Sequence, residues 1–313
     1  MAARQLSWVR RLRLNVTKSM TIYSYDPSNG FEVVKIPVKI SNDKSASSIA
    51  LEIDQNGNLL AGGFYGEFNR QGIFKFEAIK GTYFIKVDRI TEEVTVKNLA
   101  PFGKDFYKQV LTERALKKGR EIPNNYYPKK ILLKGDGGVV LIAEYYLRTV
   151  SDNNGSRTTR VTHGPLIVAD INPNGEISWV KVIPKEQVFS ETRRGTALGI
   201  GPITFTFYSS NEYRVTIYHS FLIGVGESDL YFIYNDHAKN LTLNDRRILI
   251  GYKGSVPVCV TVGSDGSMKK DILRGKDRSE VVLRPKINFQ DSYGEVLIYG
   301  SRRKSDKFGV IKF

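Results

Sequence analysis

The stretch Ile49–Ile79 reads IALEIDQNGNLLAGGFYGEFNRQGIFKFEAI. A second copy of its pattern starts at Ile131: ILLKGDGGVVLIAEYY (131–146), a polar stretch, then GPLIVADINPNGEISWVKVIPKEQ (164–187). In each copy an apolar strand meets a Gly/Asn/Asp turn, a second strand follows, and a third arrives after a variable loop. Every second residue of LEIDQNGNLLAGGF is placed to face a neighbouring sheet. The turn glycines Gly57, Gly175 and Gly266 permit the positive φ that a side chain would resist. Gly62 and Gly63 fall inside a strand, where glycine marks a bulge or a close approach of backbone rather than an anion cradle. Several such units in one chain point to an all-β fold of the β-propeller type.

The same signals extend outward. Met20–Ile40 reads as two strands around a Ser-Asn-Gly turn, and TYFIKVDR with EEVTVKNL reads as a hairpin. Further strands are expected at Gly72–Ala78, Lys130–Gly135, Val139–Leu147, Pro165–Ile171 and Ile177–Ile183. Thr204–Ser209 is expected to pair with Tyr213–His219, Leu230–Tyr234 with Arg246–Tyr252, and Val256–Val262 with Ser267–Leu273. Val281–Asn288, Gly294–Ser301 and Lys307–Phe313 close the chain. Phe106–Lys118 breaks the rhythm with apolar residues at helical spacing and is closed by Gly119 and Pro123, which predicts one short inserted helix. Thr149–Thr162 (TVSDNNGSRTTRVT) reads as a long polar loop. At roughly 40–50 residues per unit, the length implies about six four-stranded antiparallel blades, with five or seven as the neighbouring counts. Residues 1–19 read as a basic segment outside the fold and residues 20–313 as the propeller domain.

The chain has 47 Lys and Arg against 32 Asp and Glu, a net charge of +15. Such a balance favours polyanions. The basic residues, however, are scattered in pairs such as Lys117–Lys118, Lys129–Lys130 and Arg246–Arg247, beside turn residues, and they read first as solvated surface. No nucleic-acid-binding motif accompanies them. The single cysteine, Cys259 in PVCVTV, reads as a buried strand thiol and excludes an internal disulfide. No run of about 18 apolar residues suggests a membrane-spanning helix. The first 25 residues carry no acid and lack the apolar stretch of a secretion signal.

No local constellation signals chemistry. His163, His219 and His237 have no second His or Cys at metal-ligand spacing, so no metal or cofactor is expected. Propeller glycosidases work with carboxylates around the axis, which makes Asp54, Asp88, Glu144, Asp170 and Asp236 worth testing. Asp54 and Asp170 occupy turn positions where an aspartate caps its own backbone. Glu144 lies within the apolar strand VVLIAEYY, and a glutamate buried there requires a cation; Lys185 is the expected partner, with a catalytic acid as the sharper alternative. Glu144 and Asp170 are therefore the two weak catalytic candidates. Tyr126–Tyr127, Tyr145–Tyr146, Arg148 and His163 combine aromatic area with hydrogen-bonding capacity and form the candidate ligand-binding set. Ser264-Asp265-Gly266-Ser267 reads as a plain hairpin turn. There is no nucleophile elbow and no phosphate-binding loop.

The phrases GGVVLIAEYY and GPLIVADINPNGEISWVKVIPKEQ, together with the ending KFGVIKF, resemble a group of exported β-propeller proteins of unknown function from Bacteroidetes-type bacteria. These share a blade phrase W-x-x-x-I-P-K-x-Q, here Trp179, Ile183, Pro184, Lys185 and Gln187. The resemblance covers residues 20–313 and carries no catalytic residues. It implies a place outside the cell, in the periplasm or at the cell surface, and a chain shortened at its N-terminus. The expectation that follows is a monomeric, non-catalytic binding module for a glycan, peptide or protein. A glycan hydrolase or lyase with axial carboxylates, or a polyanion binder, are the alternatives.

Overall fold

Among the described residues, mainly antiparallel sheets and three short helices build this all-β chain. The structure is a computed structural model, and it describes residues 5–6, 19–26, 30, 32–41, 44–67, 78–153, 155–200, 203–207, 210–273, 282–290, 294–302 and 305–313. Two units divide the chain: Met1–Ala143 with Ile167–Lys181, and Glu144–Leu166 with Val182–Phe313.

In the first unit, β1 (Gln5–Leu6), β2 (Ser19–Asp26) and β3 (Glu32–Lys39) form an antiparallel sheet. Period-2 alternation buries Ile22, Ile36 and Val38 and leaves Tyr23 and Val33 outside. Next come β4 (Lys44–Ile53), β5 (Leu59–Glu67), β6 (Ala78–Ile79), β7 (Gly81–Val87) and β8 (Val94–Pro101). Four of them pair as an antiparallel meander in the order β4-β5-β7-β8. β5 is buried along nearly its whole length, so its run LLAGGFYG is apolar or small on both faces. Burying side chains such as Phe64 and Phe84 contributes about 1.5–3 kcal/mol each. The strand glycine is explained by crowding: a Cβ on Gly63 would sit 2.0 Å from the Ser48 carbonyl oxygen and 2.9 Å from the Tyr83 hydroxyl. Only a residue without a side chain lets these strands close.

The segment expected as one helix forms two, α1 (Lys104–Val110) and α2 (Glu113–Lys117). The chain extends at Leu111, and Thr112 then caps the second helix by accepting from the Ala115 amide. Phe106 anchors α1 against Phe102, with ring centroids 4.4 Å apart. β9 (Ile122–Pro123) pairs with β6. The rest of the unit lies along β10 (Tyr126–Leu133), β11 (Val139–Asn153), β12 (Ser156–Ile171) and β13 (Ile177–Ile183), paired in that order. Of the expected strand Gly72–Ala78, only Ala78 lies within the described residues.

The second unit takes over β11 at Glu144 and leaves β12 at Leu166. Residues Thr149–Thr162 are therefore strand up to a turn at Gly155 rather than a loop. The run SRTTRVT (156–162) is polar, yet its β-branched residues suit a sheet. β14 (Gln187–Arg194) pairs antiparallel with β12, and β15 (Thr196–Ile200) pairs with β16 (Ile203–Phe207). The expected strand Tyr213–His219 begins instead as α3 (Glu212–Thr216). Side-chain bonds override its β-branched composition. Glu191 receives both the backbone and the side-chain amide of Asn211, each at 3.0 Å, and Ser210 accepts from the Glu212 amide. β17 (Leu222–Val225) and β18 (Leu230–His237) follow. Within the expected strand Arg246–Tyr252 only β19 (Leu249–Ile250) forms, parallel to β14. Asn240 and Asp245 hold the preceding loop by capping the Arg247 and Thr242 amides. β20 (Ser255–Val262) and β21 (Met268–Ile272) complete a four-stranded antiparallel sheet in the order β17-β18-β20-β21. The last sheet is β22 (Val282–Phe289), β23 (Glu295–Arg302) and β24 (Ser305–Lys312), again antiparallel. Its inner face joins a core of Leu222, Ile233, Cys259, Leu283 and Val296.

Candidate functional site

The second unit encloses a chain of polar groups around Lys185, whose side chain is fully buried. The three ammonium protons of Lys185 meet three acceptors: Glu144 Oε1 at 2.9 Å, the His163 carbonyl at 3.2 Å and Gln187 Oε1 at 3.1 Å. Glu144 is also fully buried, and its second oxygen accepts from the Ser220 hydroxyl at 2.9 Å. Gln187 accepts from the Ser220 amide at 2.7 Å and donates to the Asn235 carbonyl at 2.7 Å. Asn235 in turn donates to the carbonyls of Tyr218 and Leu283, at 2.8 and 2.7 Å. Ile183 at the end of β13, Lys185 in the short link and Gln187 at the start of β14 are all buried, which places the I-P-K-x-Q phrase in the network. Ser220 holds φ at 80°, a conformation that costs a non-glycine residue about 1–3 kcal/mol. Both bonds that hold it there run into the Lys185 network.

Two histidines flank this network, with ring centroids 5.7 Å apart. His219 Nε2 lies 2.9 Å from the Gly251 carbonyl and must be the donor, since a carbonyl only accepts. Burial drives the His219 pKa down to about 4, helped by His163 and Lys185, so the ring is neutral and Nδ1 carries a lone pair. Among the described residues that Nδ1 has no partner, and neither does the amide oxygen of Asn235. His163 is also held below its ordinary pKa by burial, with Glu144 opposing and Lys185 and Lys286 adding to the shift. Its Nδ1 stands 3.3 Å from Glu144 Oε2, but off the line of a hydrogen bond.

The expected ion pair of Glu144 with Lys185 is thus present. As a catalytic acid, Glu144 would have to reach a substrate, yet its side chain has no exposed surface. Asp170 does not cap its own backbone as expected. It is 4% exposed and its two oxygens stand 3.0 Å from Lys134 Nζ, while Asn172 caps the turn by accepting from the Asn174 and Glu176 amides. Asp54 does cap its turn, accepting from the Asn56 and Asn58 amides, and Asp88 does so for Ile90 and Thr91. Ser264–Ser267 is the plain turn expected, with Asp265 accepting from the Ser267 amide. Asp236 pairs with Lys270 at 2.7 Å, both side chains 2% exposed.

The candidate binding residues divide by burial. Tyr126 and His163 are buried, Tyr127 is exposed, and Tyr145 and Tyr146 are half-buried. In the second unit Tyr146 meets the His163 ring edge-on at 5.1 Å, and Arg148 makes a two-pronged contact with Glu212 at 2.9 and 2.9 Å. Sequence reasoning found Glu144, Lys185 and His163 but not Ser220, Asn235 or His219 as their companions. Those three lie in segments whose local patterns carry no signal of contacts 33 to 76 residues away. Among the described residues no group of three His, Cys, Asp or Glu is placed to hold a metal ion, and no helix is long and apolar enough to cross a membrane.

No family model matches this chain, and no curated protein matches it. Among solved structures, it is similar to a protein of unknown function from Dyadobacter fermentans DSM 18053, at 8% identity and a TM-score of 0.29, covering 97% of this chain and 87% of that one.

Proposed function

We propose that this chain is a non-catalytic binding or interaction module, built as a β-propeller of about six blades and working at the bacterial envelope or outside the cell. The observation that carries the non-catalytic reading is the saturation of the buried pair Glu144 and Lys185. Lys185 has spent all three protons, and both oxygens of Glu144 are engaged by neighbours. A general acid or base needs a proton path to substrate, and these groups face each other. Asp170 is likewise committed to Lys134. The propeller reading rests on the recurrence of four-strand meanders with Asp- or Asn-capped turns, as in β4-β5-β7-β8 and β17-β18-β20-β21. For ligand contact, the half-buried rings of Tyr145 and Tyr146 offer area at low entropic cost.

The test is a thermal-shift screen with neutral and acidic oligosaccharides and peptides at two salt concentrations, followed by mass analysis of the recovered ligand. The expected result is stabilisation that survives high salt, with the ligand intact and the effect weakened in Tyr146→Ala. A shortened glycan, no longer formed by Glu144→Gln or Asp170→Asn, would establish a hydrolase or lyase instead. Stabilisation by every polyanion, lost at high salt, would reduce the activity to net charge.

A further inference from the structure

The strand β24 has an edge that no other strand pairs among the described residues, and that edge is complementary to itself. β24 ends the order β22-β23-β24, and among the described residues nothing pairs with its far side. The Phe313 amide donates to the Gly294 carbonyl at 2.8 Å, which makes that pair the hydrogen-bonded kind. Alternation along the ladder then turns the backbone groups of Ile311 and Gly309 towards β23. It turns those of Lys312, Val310, Phe308 and Asp306 outward.

We propose that a second copy of this chain docks on that edge, β24 against β24, antiparallel about a two-fold axis at Gly309. This register sets Asp306 opposite the partner's Lys312 and Phe308 opposite the partner's Val310. Each is a pair of outward-turned backbones, as a hydrogen-bonded rung requires. The charges are opposite, with Lys312 also paired to Glu295 of its own chain at 2.6 Å and Asp306 accepting from its own Tyr299 hydroxyl at 2.7 Å; the apolar groups meet, and together these give the isologous complementarity a two-fold dimer needs. All four side chains lie on the outer face of the sheet. There Phe308 is 73% and Val310 53% exposed, and they continue a row with Leu297 and Phe289, also exposed. Pairing would extend this apolar face across six strands, and a long open edge beside exposed apolar residues is a surface proteins seldom leave uncovered.

Gly309 supplies the decisive test. On the axis it faces its own copy in a non-hydrogen-bonded rung, where Cα atoms stand about 4.5 Å apart, within the range of a disulfide. A Cβ there would touch only Ile298 side-chain carbons, at 3.5 and 3.7 Å, so Gly309→Cys is tolerated. Oxidised glutathione would take two electrons and two protons from the two thiols, leaving one disulfide and two reduced glutathiones. Cys259 is buried and does not compete. The expected result is a covalent dimer on a non-reducing gel, and light scattering of the unmodified chain at twice 35.3 kDa. Asp306→Lys should halve that mass by facing Lys312 with a like charge, and Asp306→Lys with Lys312→Asp should restore it. A monomer at every concentration, with Gly309→Cys folded by circular dichroism but uncoupled, would overturn the proposal. So would a dimer that Leu297→Lys dissolves and Asp306→Lys leaves intact, because it would be held by the sheet face and not by the edge.

Discussion

Replacing Glu144 by Gln keeps the shape of the side chain and removes the charge that Lys185 faces inside the second unit. Breaking a buried pair from one side typically costs about 3–5 kcal/mol, because the remaining charge stays out of water. Glu144→Gln should therefore lower the urea midpoint strongly at unchanged slope. A loss under about 1 kcal/mol would show that the pair is not what holds this core. His219 sets the acid limit. Its folded pKa of about 4 lies below the unfolded value, so the unfolded chain takes the proton first. Stability is complete above about pH 6.5 and falls as the pH drops towards 4, by about 3 kcal/mol for a shift of this size. His163 is shifted the same way and adds to the slope. His219→Gln still offers Gly251 a donor, and it should flatten the profile of unfolding free energy against pH.

Between strands, the tolerance of neighbouring glycines differs sharply. Gly63→Ala would drive a methyl group into the Ser48 backbone and should cost at least the ~1–3 kcal/mol of an overpacked core. Gly62→Ala meets the tip of the Ile131 side chain at 3.3 Å, a contact that a rotamer change relieves, and should be far milder. Melting temperatures of the two variants measure the difference. Gly63 also shows what was legible in the sequence. Glycine inside an apolar strand predicts a close backbone approach, and that is what it makes. Met20–Ile40, the Ile177–Ile183 strand and the Asp54 turn could be read for the same reason: alternation and turn chemistry act within a few residues. The errors came where longer contacts decide. Tyr213–Thr216 has strand composition but is helical because Glu191 captures Asn211. Thr149–Thr162 is polar enough for a loop, yet its outer residues pair with β14 from Ser156 to His163. The buried site was half legible. Glu144 announced itself as an acid in an apolar strand, whereas Ser220 and Asn235 look like any turn or strand residue until the chain is folded.

At the scale of the molecule, β11 and β12 each contribute residues to both units. This predicts that the two units unfold together, and the chain carries a reporter for each. Cys259 belongs to the core of the second unit, and burial pushes its thiol up to about 11, so it should resist a thiol reagent until that core opens. Trp179 belongs to the first. In a Trp8→Phe background, the urea midpoints from Cys259 labelling and Trp179 fluorescence should coincide. Separated midpoints would show that the shared strands do not couple the units.

The interleaving of the two units also dictates an order of birth. A chain emerging from the ribosome delivers Met1–Ala143, then 23 residues destined for the other unit, and only then Ile167–Lys181. The first unit cannot finish its β10-β11-β12-β13 sheet until that late hairpin arrives, although most of its residues have long been free. Domains made of one continuous stretch fold as they emerge. Here the early part must wait exposed, so a pause in translation while residues 167–181 are still unmade or inside the ribosome would prolong that vulnerable interval, and one after they have emerged would not.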